Sequence, residues 1–528
     1  MKKTLPWLAL TLGIIVSTFI WDFISLPYDY NNTILGQYSA NKINPFNDTL
    51  RGLSFIFIPI LFYLLAYIKL ENINLKLESL GKIDLRNNNR IVNYLSLILV
   101  VFSIIEFLSL DYNNFLGKLD VHHEGTSLTA QLNFFDKKKF WTGTFFDYGF
   151  LGNNLGIFSK FIFGEYTIGI HRFSKTFLVL FNKILLILVC REISCNTSFG
   201  KNKGLFFLIF TVATLTLTNF YDGITPFPYR VFIFLIFTIL IFNIFSSTKV
   251  NILVSLIGGS FSLISMLFYW DIGTYINAIL LITIIYLFLV QKNNAAYLVI
   301  SGAIFSWLIF YLLAPNDEFK EFINQYFIII NISDYLLGIE YPKPFSEKST
   351  RFTKALLLII LSGILLINFI LDKINKGNQN LIFFLFYLFL SSIIFFKSGL
   401  MRSDTPHIKY SSGLYMMLLF FFISYFLTNY LGKINLKIIN IFQQKIYYLS
   451  LSFVVSFIFF FQNNYSNLPN ILNSNKSFLM LTKIEDKKFL DKNYLKFIDV
   501  FKNLTANERC VQQFTDDNAI PYLVNKPT

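Results

Sequence analysis

Residues 119–149 read LDVHHEGTSLTAQLNFFDKKKFWTGTFFDYG. Asp120, His122, His123, Glu124, Asp136, Asp147 and the triplet Lys137, Lys138 and Lys139 crowd into this stretch, while the runs on either side, 91–112 and 167–190, are strongly apolar. Each of those runs has the roughly 20 residues an α-helix needs to cross hydrocarbon. A polar stretch between two such runs reads as a loop at a membrane surface. A chain that gathers its scarce ionisable side chains in one loop does so for chemistry or ligand capture. Residues 113–166 are therefore expected to form the active-site loop of a polytopic membrane protein.

Working outward, apolar residues make up 54% of the 528, and their run lengths predict an all-α fold with about thirteen transmembrane helices. The spans fall at 5–26, 51–70, 91–112, 167–190, 204–220, 230–246, 250–269, 274–290, 296–313, 353–371, 380–396, 411–430 and 446–462. Lys2 and Lys3 precede a first run too long for a cleaved signal, which is expected to stay as an anchor with the N-terminus in the cytoplasm. Alternation then places the short basic loops inside, as the positive-inside rule asks. The same alternation sends the Asp120 loop, the stretch from Tyr221, Trp270 and Asp271, the loop 314–352, the stretch 397–410 and the tail 463–528 to one outer side. That convergence predicts a single extracytoplasmic site on a helical base, with 1–462 as the membrane domain.

Within the outer loops, 126–135 and 150–163 have the spacing of helices lying in the interface. Residues 318–337 form another, whose Phe319, Phe322, Ile323 and Tyr326 are expected to rest in the outer leaflet as a gate for a lipid. The tail carries an amphipathic helix over 486–504, with Phe489, Leu490, Phe497, Ile498 and Phe501 on one side. Glu106, Arg172, Lys175 and Lys183 lie within or beside spans and read as snorkelling side chains.

The net charge of +14 suits loops against anionic lipid, since the lysines are scattered and form no basic domain; nucleic acid is not expected as a partner. Three cysteines, Cys190, Cys195 and Cys510, make no disulfide framework. No GxxxxGKS loop, no GxGxxG after a strand and no soluble stretch for a nucleotide-binding domain occurs, so a cytosolic nucleotide is not the expected substrate.

Asp120 and Glu124 face the same way whether the loop is extended or helical, with His122 or His123 beside them. Two carboxylates and an imidazole can hold a divalent cation, Mg or Mn, through Asp120, His122 and His123. Equally, one carboxylate can be a base that the others orient, or Asp120 and Glu124 can cap an interfacial helix. HHEG lacks the HExxH spacing of a zinc protease. Asp147 reads as a second acid or as a turn residue before Gly149. In RSDTPH, Arg402 and His407, followed by Lys409, can hold a lipid phosphate, with Asp404 orienting Arg402.

The many-span layout, LDVHHEG, FFDYG, the late RSDTPH and the short tail together resemble the GT-C fold, polytopic membrane glycosyltransferases that use a polyprenyl-phosphate sugar donor. The resemblance covers the chain from about Tyr94 onward. It implies a bacterial inner-membrane protein of the cell envelope that passes a sugar to an acceptor hydroxyl of a glycan, lipid or protein, with inversion. It implies Asp120 as the general base, with Glu124 as substitute, and His122, His123, Asp147, Arg402, Asp404, His407 and Lys409 as substrate or phosphate contacts. Two spans precede the one leading into this loop, so the family's first outer loop corresponds to the second here. The ending CVQQFTDDNAIPYLVNKPT also resembles related bacterial membrane proteins in which more chain follows, which implies a truncated sequence. The competing readings are a transporter or flippase of lipid-linked glycan, and a glycan polymerase or ligase.

Overall fold

The computed structural model describes residues 4–26, 44–71, 89–142, 149–153, 155–199, 202–218, 227–247, 249–337, 341–373, 379–400, 405–433, 477–512 and 517–528. Among them no strand forms, apart from one isolated bridge between Asp111 and Ser477. The helices are α1 (Leu5–Phe23), α2 (Pro45–Glu71), α3 (Asn89–Leu108), α4 (His123–Lys137), α5 (Phe150–Asn153), α6 (Leu155–Phe163), α7 (Ile168–Cys195), α8 (Lys203–Leu217), α9 (Phe227–Ser246), α10 (Ile252–Phe268), α11 (Trp270–Leu289), α12 (Asn293–Leu313), α13 (Asn316–Leu337), α14 (Thr350–Lys373), α15 (Gln379–Leu400), α16 (Thr405–Ser411), α17 (Gly413–Lys433), α18 (Lys492–Leu504) and α19 (Ile520–Val524).

Ten helices among the described residues are long and apolar enough to cross a membrane, so the polytopic all-α expectation holds. The count of thirteen is not reproduced. The runs 204–220 and 250–269 are helices of 15 and 17 residues, α8 and α10, apolar but shorter than a standard span. The run 446–462 lies outside the described residues.

The chain divides into two compact units. The first comprises Met1–Asn93, Cys190–Phe220 and Ile330–Asn440. In it α1 packs on α2, and the Trp21 ring meets Phe55 and Phe352 edge-on. Asp48, buried in the first turn of α2, accepts from the Arg51 guanidinium at 3.0 Å and from the Tyr341 N–H at 3.1 Å. Arg51 also donates to the Trp21 carbonyl, closing the end of α1 against α2.

The second unit comprises Tyr94–Val189, Tyr221–Ile329 and Ile441–Thr528. The expected loop helices form as α4, α5 and α6, and the lipid-gate stretch forms α13. Its buried side is Phe322, packed among Trp141, Trp270, Trp307 and Phe310. Phe322 is therefore core and not a leaflet-facing gate; among the described side chains of α13, Phe327, Ile328 and Ile330 are exposed apolar ones. Glu318 fixes the start of α13 by accepting the N–H groups of Trp141 and Thr142, while Gln325 donates to the Trp141 carbonyl.

Residues 477–512 and 517–524 form a second apolar core with the Asp120 loop. Phe478, Leu481, Phe489, Ile498 and Leu523 pack with Leu119, Leu128, Ile168 and Phe173. The tail helix is shorter than expected: Asp491 caps it by accepting the Tyr494 N–H, so it starts at Lys492. Phe489 and Leu490 precede it, yet they pack on the same core as Ile498 and Phe501, whereas Phe497 is exposed.

Candidate functional site

The site grows from the turn that opens α4. The Asp120 carbonyl accepts the Glu124 N–H at 3.0 Å, so helical winding begins there. Asp120 Oδ1 accepts the N–H groups of His122 and His123 at 3.2 and 2.9 Å, satisfying donors that a helix start leaves open. Glu124 reaches back, and its Oε2 accepts the Asp120 N–H at 2.9 Å. The two carboxylates thus cap one helix reciprocally, as in a capping box widened by one residue.

Beyond the turn they part. Asp120 Oδ2 pairs with His123 Nδ1 at 2.8 Å on the exposed side. That hydrogen bond outweighs partial burial and holds the Asp120 carboxyl down at about 2. Glu124 points inward to Arg172, whose Nε and Nη2 donate to Oε1 and Oε2, both at 2.7 Å. The remaining Arg172 donors go to the carbonyls of Phe115 (2.6 Å), Gly117 (2.7 Å) and Lys118 (2.9 Å). All five guanidinium N–H groups are in use. Burial raises the Glu124 carboxyl, but the Arg172 hydrogen bonds and nearby positive charge outweigh it and the net shift is downward.

Beside this clasp a cavity of about 450 Å³ opens between α3, residues 172–183 of α7 and the segment 110–117. Its charged lining is Glu106, Glu124, Arg172, Lys175 and Lys183, and its apolar wall includes Phe107, Leu110, Val179 and Leu180. Lys183 Nζ lies 2.6 Å from Glu106 Oε2. Three cations against two carboxylates leave one net positive charge. An anion joined to an apolar chain fits such a lining.

The tail holds the turn in place. Asn518 donates to Thr126 Oγ1 at 2.8 Å and accepts from Thr129 Oγ1 at 2.6 Å, and the Leu119 N–H donates to the Phe489 carbonyl at 2.9 Å. Asp486 accepts the first N–H of α7, from Ile168, at 2.8 Å and the Tyr522 hydroxyl at 2.6 Å. Backbones meet closely at two glycines. A Cβ on Gly125 would stand 2.5 Å from the Ala519 nitrogen, and one on Gly169 would stand 2.1 Å from the Leu481 carbonyl oxygen.

No family model matches this chain, and no curated protein matches it. Solved structures do. The chain is similar to ArnT from Cupriavidus metallidurans. In the structure bound to undecaprenyl phosphate the TM-score is 0.41 at 11% identity, and in the apo structure 0.39 at 12% identity; both matches cover 82% of this chain and 85% of that one.

Of the site residues expected from the sequence, Asp120, His122, His123 and Glu124 come together at the start of α4. Asp147, Arg402 and Asp404 lie outside the described residues. His407 and Lys409 stand on α16 in the first unit, where Lys409 is exposed with its ammonium 5.7 Å from the Tyr410 ring centroid. The shared carboxylate face is not formed, because Glu124 turns to Arg172 while Asp120 turns to His123. Among the described residues no three His, Cys, Asp or Glu side chains gather as a metal-binding group. His122 approaches Asn518 (3.4 Å), and the Asp120 oxygens serve their own turn. That donor set does not fit a divalent cation.

Arg172, Lys175, Lys183 and Glu106, expected to snorkel, all line the cavity, where Arg172 engages Glu124 and Lys183 engages Glu106. A signal was present in the sequence. Arg172, Lys175, Thr176, Val179, Leu180 and Lys183 follow helical spacing and share one face of α7.

Proposed function

We propose that this protein is a membrane glycosyltransferase that takes a sugar from a polyprenyl-phosphate carrier and passes it, with inversion, to an acceptor hydroxyl on the extracytoplasmic face. The observation that carries this reading is the cavity: a net positive lining with an apolar wall, in a multi-span membrane protein, whose Glu124 is hydrogen-bonded to the backbone of Asp120. Lys175 and Lys183 hold the carrier phosphate, and Phe107, Leu110, Val179 and Leu180 receive the first part of its apolar chain. As the acceptor oxygen bonds the anomeric carbon, the bond to phosphate breaks and its electron pair leaves with the polyprenyl phosphate. The growing negative charge is met by ammonium groups already in place. The base belongs to the turn that Asp120 opens. Glu124 is a poor substitute, because Arg172 engages both its oxygens.

The test is transfer by the purified protein in detergent from a panel of synthetic polyprenyl-phosphate sugars, with the anomeric configuration of the product read by NMR. Transfer with inversion by wild type, weakened in Lys183→Ala through the KM for donor, is the expected result. Absence of transfer from every donor, or retention of configuration, overturns the reading.

A further inference from the structure

The Asp120 carboxylate is poorly placed to take a proton itself. Oδ1 accepts two backbone N–H groups and Oδ2 faces His123 Nδ1, so protonating either oxygen would break a contact that starts α4. The free end of this pair is on the imidazole. His123 is about one third exposed, and among the described residues its Nε2 has no hydrogen-bond partner. A carboxylate on Nδ1 keeps the proton on that nitrogen and leaves Nε2 as a lone-pair acceptor. The same carboxylate stabilises the imidazolium that forms when Nε2 is protonated.

We infer that His123, through Nε2, takes the proton of the acceptor hydroxyl, with Asp120 as its positioning residue. This rests on the glycosyltransferase reading above. Glu124, the next residue along the chain from His123, accepts the Asp120 N–H and is part of the cavity wall. The groups around the imidazole are few. His122 lies edge-on with ring centroids 4.8 Å apart, and Glu124 is turned away to Arg172. From the tail, Asn518 lies against His122, and Asp517 accepts from Tyr494 and the Ala519 N–H. The depressed carboxyl of Asp120 agrees with this division of roles, since a carboxylate that weakly basic is a poor proton acceptor near neutrality.

In the step, the acceptor O–H gives its proton to Nε2 while its oxygen bonds the anomeric carbon. The bond from that carbon to the phosphate oxygen breaks, and its electron pair leaves with polyprenyl phosphate. The imidazolium stays against Asp120 until its proton passes to water or to the departing phosphate. Charge and protons balance without a further reactant.

Two readouts on the full chain test this. With the synthetic donor panel, His123→Gln is expected to lower kcat about 100-fold, with donor KM unchanged, and to remove the acid limb of the pH–rate profile. In ¹⁵N-histidine spectra at mildly alkaline pH, only four histidines contribute. One imidazole is expected with its proton on Nδ1, moving to Nε2 in Asp120→Asn. Full turnover and an unchanged acid limb in His123→Gln overturn the inference while leaving the glycosyltransferase reading intact. No turnover by wild type overturns both. The wild-type spectrum needs no variant to fold, and a His123 proton on Nε2 there overturns the inference by itself.

Discussion

Arg172 grips both oxygens of Glu124, Nε to Oε1 and Nη2 to Oε2 at 2.7 Å each, from 48 residues further along the chain. The pair is mostly buried, and three loop carbonyls complete the guanidinium's partners. Arg172→Ala would leave a buried carboxylate and three carbonyls without donors, which costs about 3–5 kcal/mol. Arg172→Lys recovers only part, because an ammonium cannot present five donors in a planar fork. Thermal unfolding in detergent checks this; a near-normal midpoint for Arg172→Ala would remove the clasp from the account.

The same pair predicts acid sensitivity. The Glu124 carboxyl is lowered in the folded protein, so its contribution is complete above the ordinary glutamate value of about 4.3 and is lost as pH falls through the lower folded value. Asp120 behaves alike, its contribution fading as pH falls toward about 2. Melting measured from pH 7 down to 3 should drop in wild type and drop less steeply in Glu124→Gln. Parallel curves would argue against a linked carboxylate.

Charge in the cavity should set lipid-phosphate affinity. Charge-assisted hydrogen bonds contribute about 1.5–3 kcal/mol each, so Lys175→Ala and Lys183→Ala should each weaken binding of a short polyprenyl phosphate by about tenfold or more. Glu106→Gln raises the net charge of the lining and releases Lys183 from its partner, so binding should tighten. Titration with a fluorescent polyprenyl phosphate reads all three. Weaker binding in Glu106→Gln would mean that Glu106 orients Lys183 instead of competing for it.

Gly169→Ala places a methyl group against the Leu481 carbonyl, and Gly125→Ala places one against the Ala519 backbone. Each should cost about 1–3 kcal/mol as overpacking, and should loosen the tail before the spans. Limited proteolysis is the measurement, with earlier cutting within 477–528 expected in both variants.

The spans were legible because run length alone specifies a crossing helix, and α4 was legible from the apolar spacing of 126–135. The i, i+3 placement of Asp120 and His123 was visible as a local grouping. What could not be read was register between distant segments. Glu106 and Lys183 are 77 residues apart, and only the relative height of α3 and α7 brings them to 2.6 Å. α7 has 28 residues, about 42 Å of helix, which is longer than a hydrocarbon core of about 30 Å, so hydropathy does not fix which of its turns lie in lipid. Arg172 and Lys175, placed in a span by hydropathy, lie in its first two turns. Phe322 was misplaced for a related reason: an amphipathic pattern shows which side is apolar, not whether lipid or protein covers it.

The apolar core around the Asp120 turn joins Leu119 and Leu128, Ile168 and Phe173, and Phe478 through Val524. During biosynthesis, residues 119–128 therefore leave the ribosome about 400 residues before their last packing partners. The membrane helices can insert one after another, but the turn bearing Asp120 and His123 must wait until synthesis has passed residue 524 before it can settle. A nascent chain stalled earlier would hold its spans and lack this core.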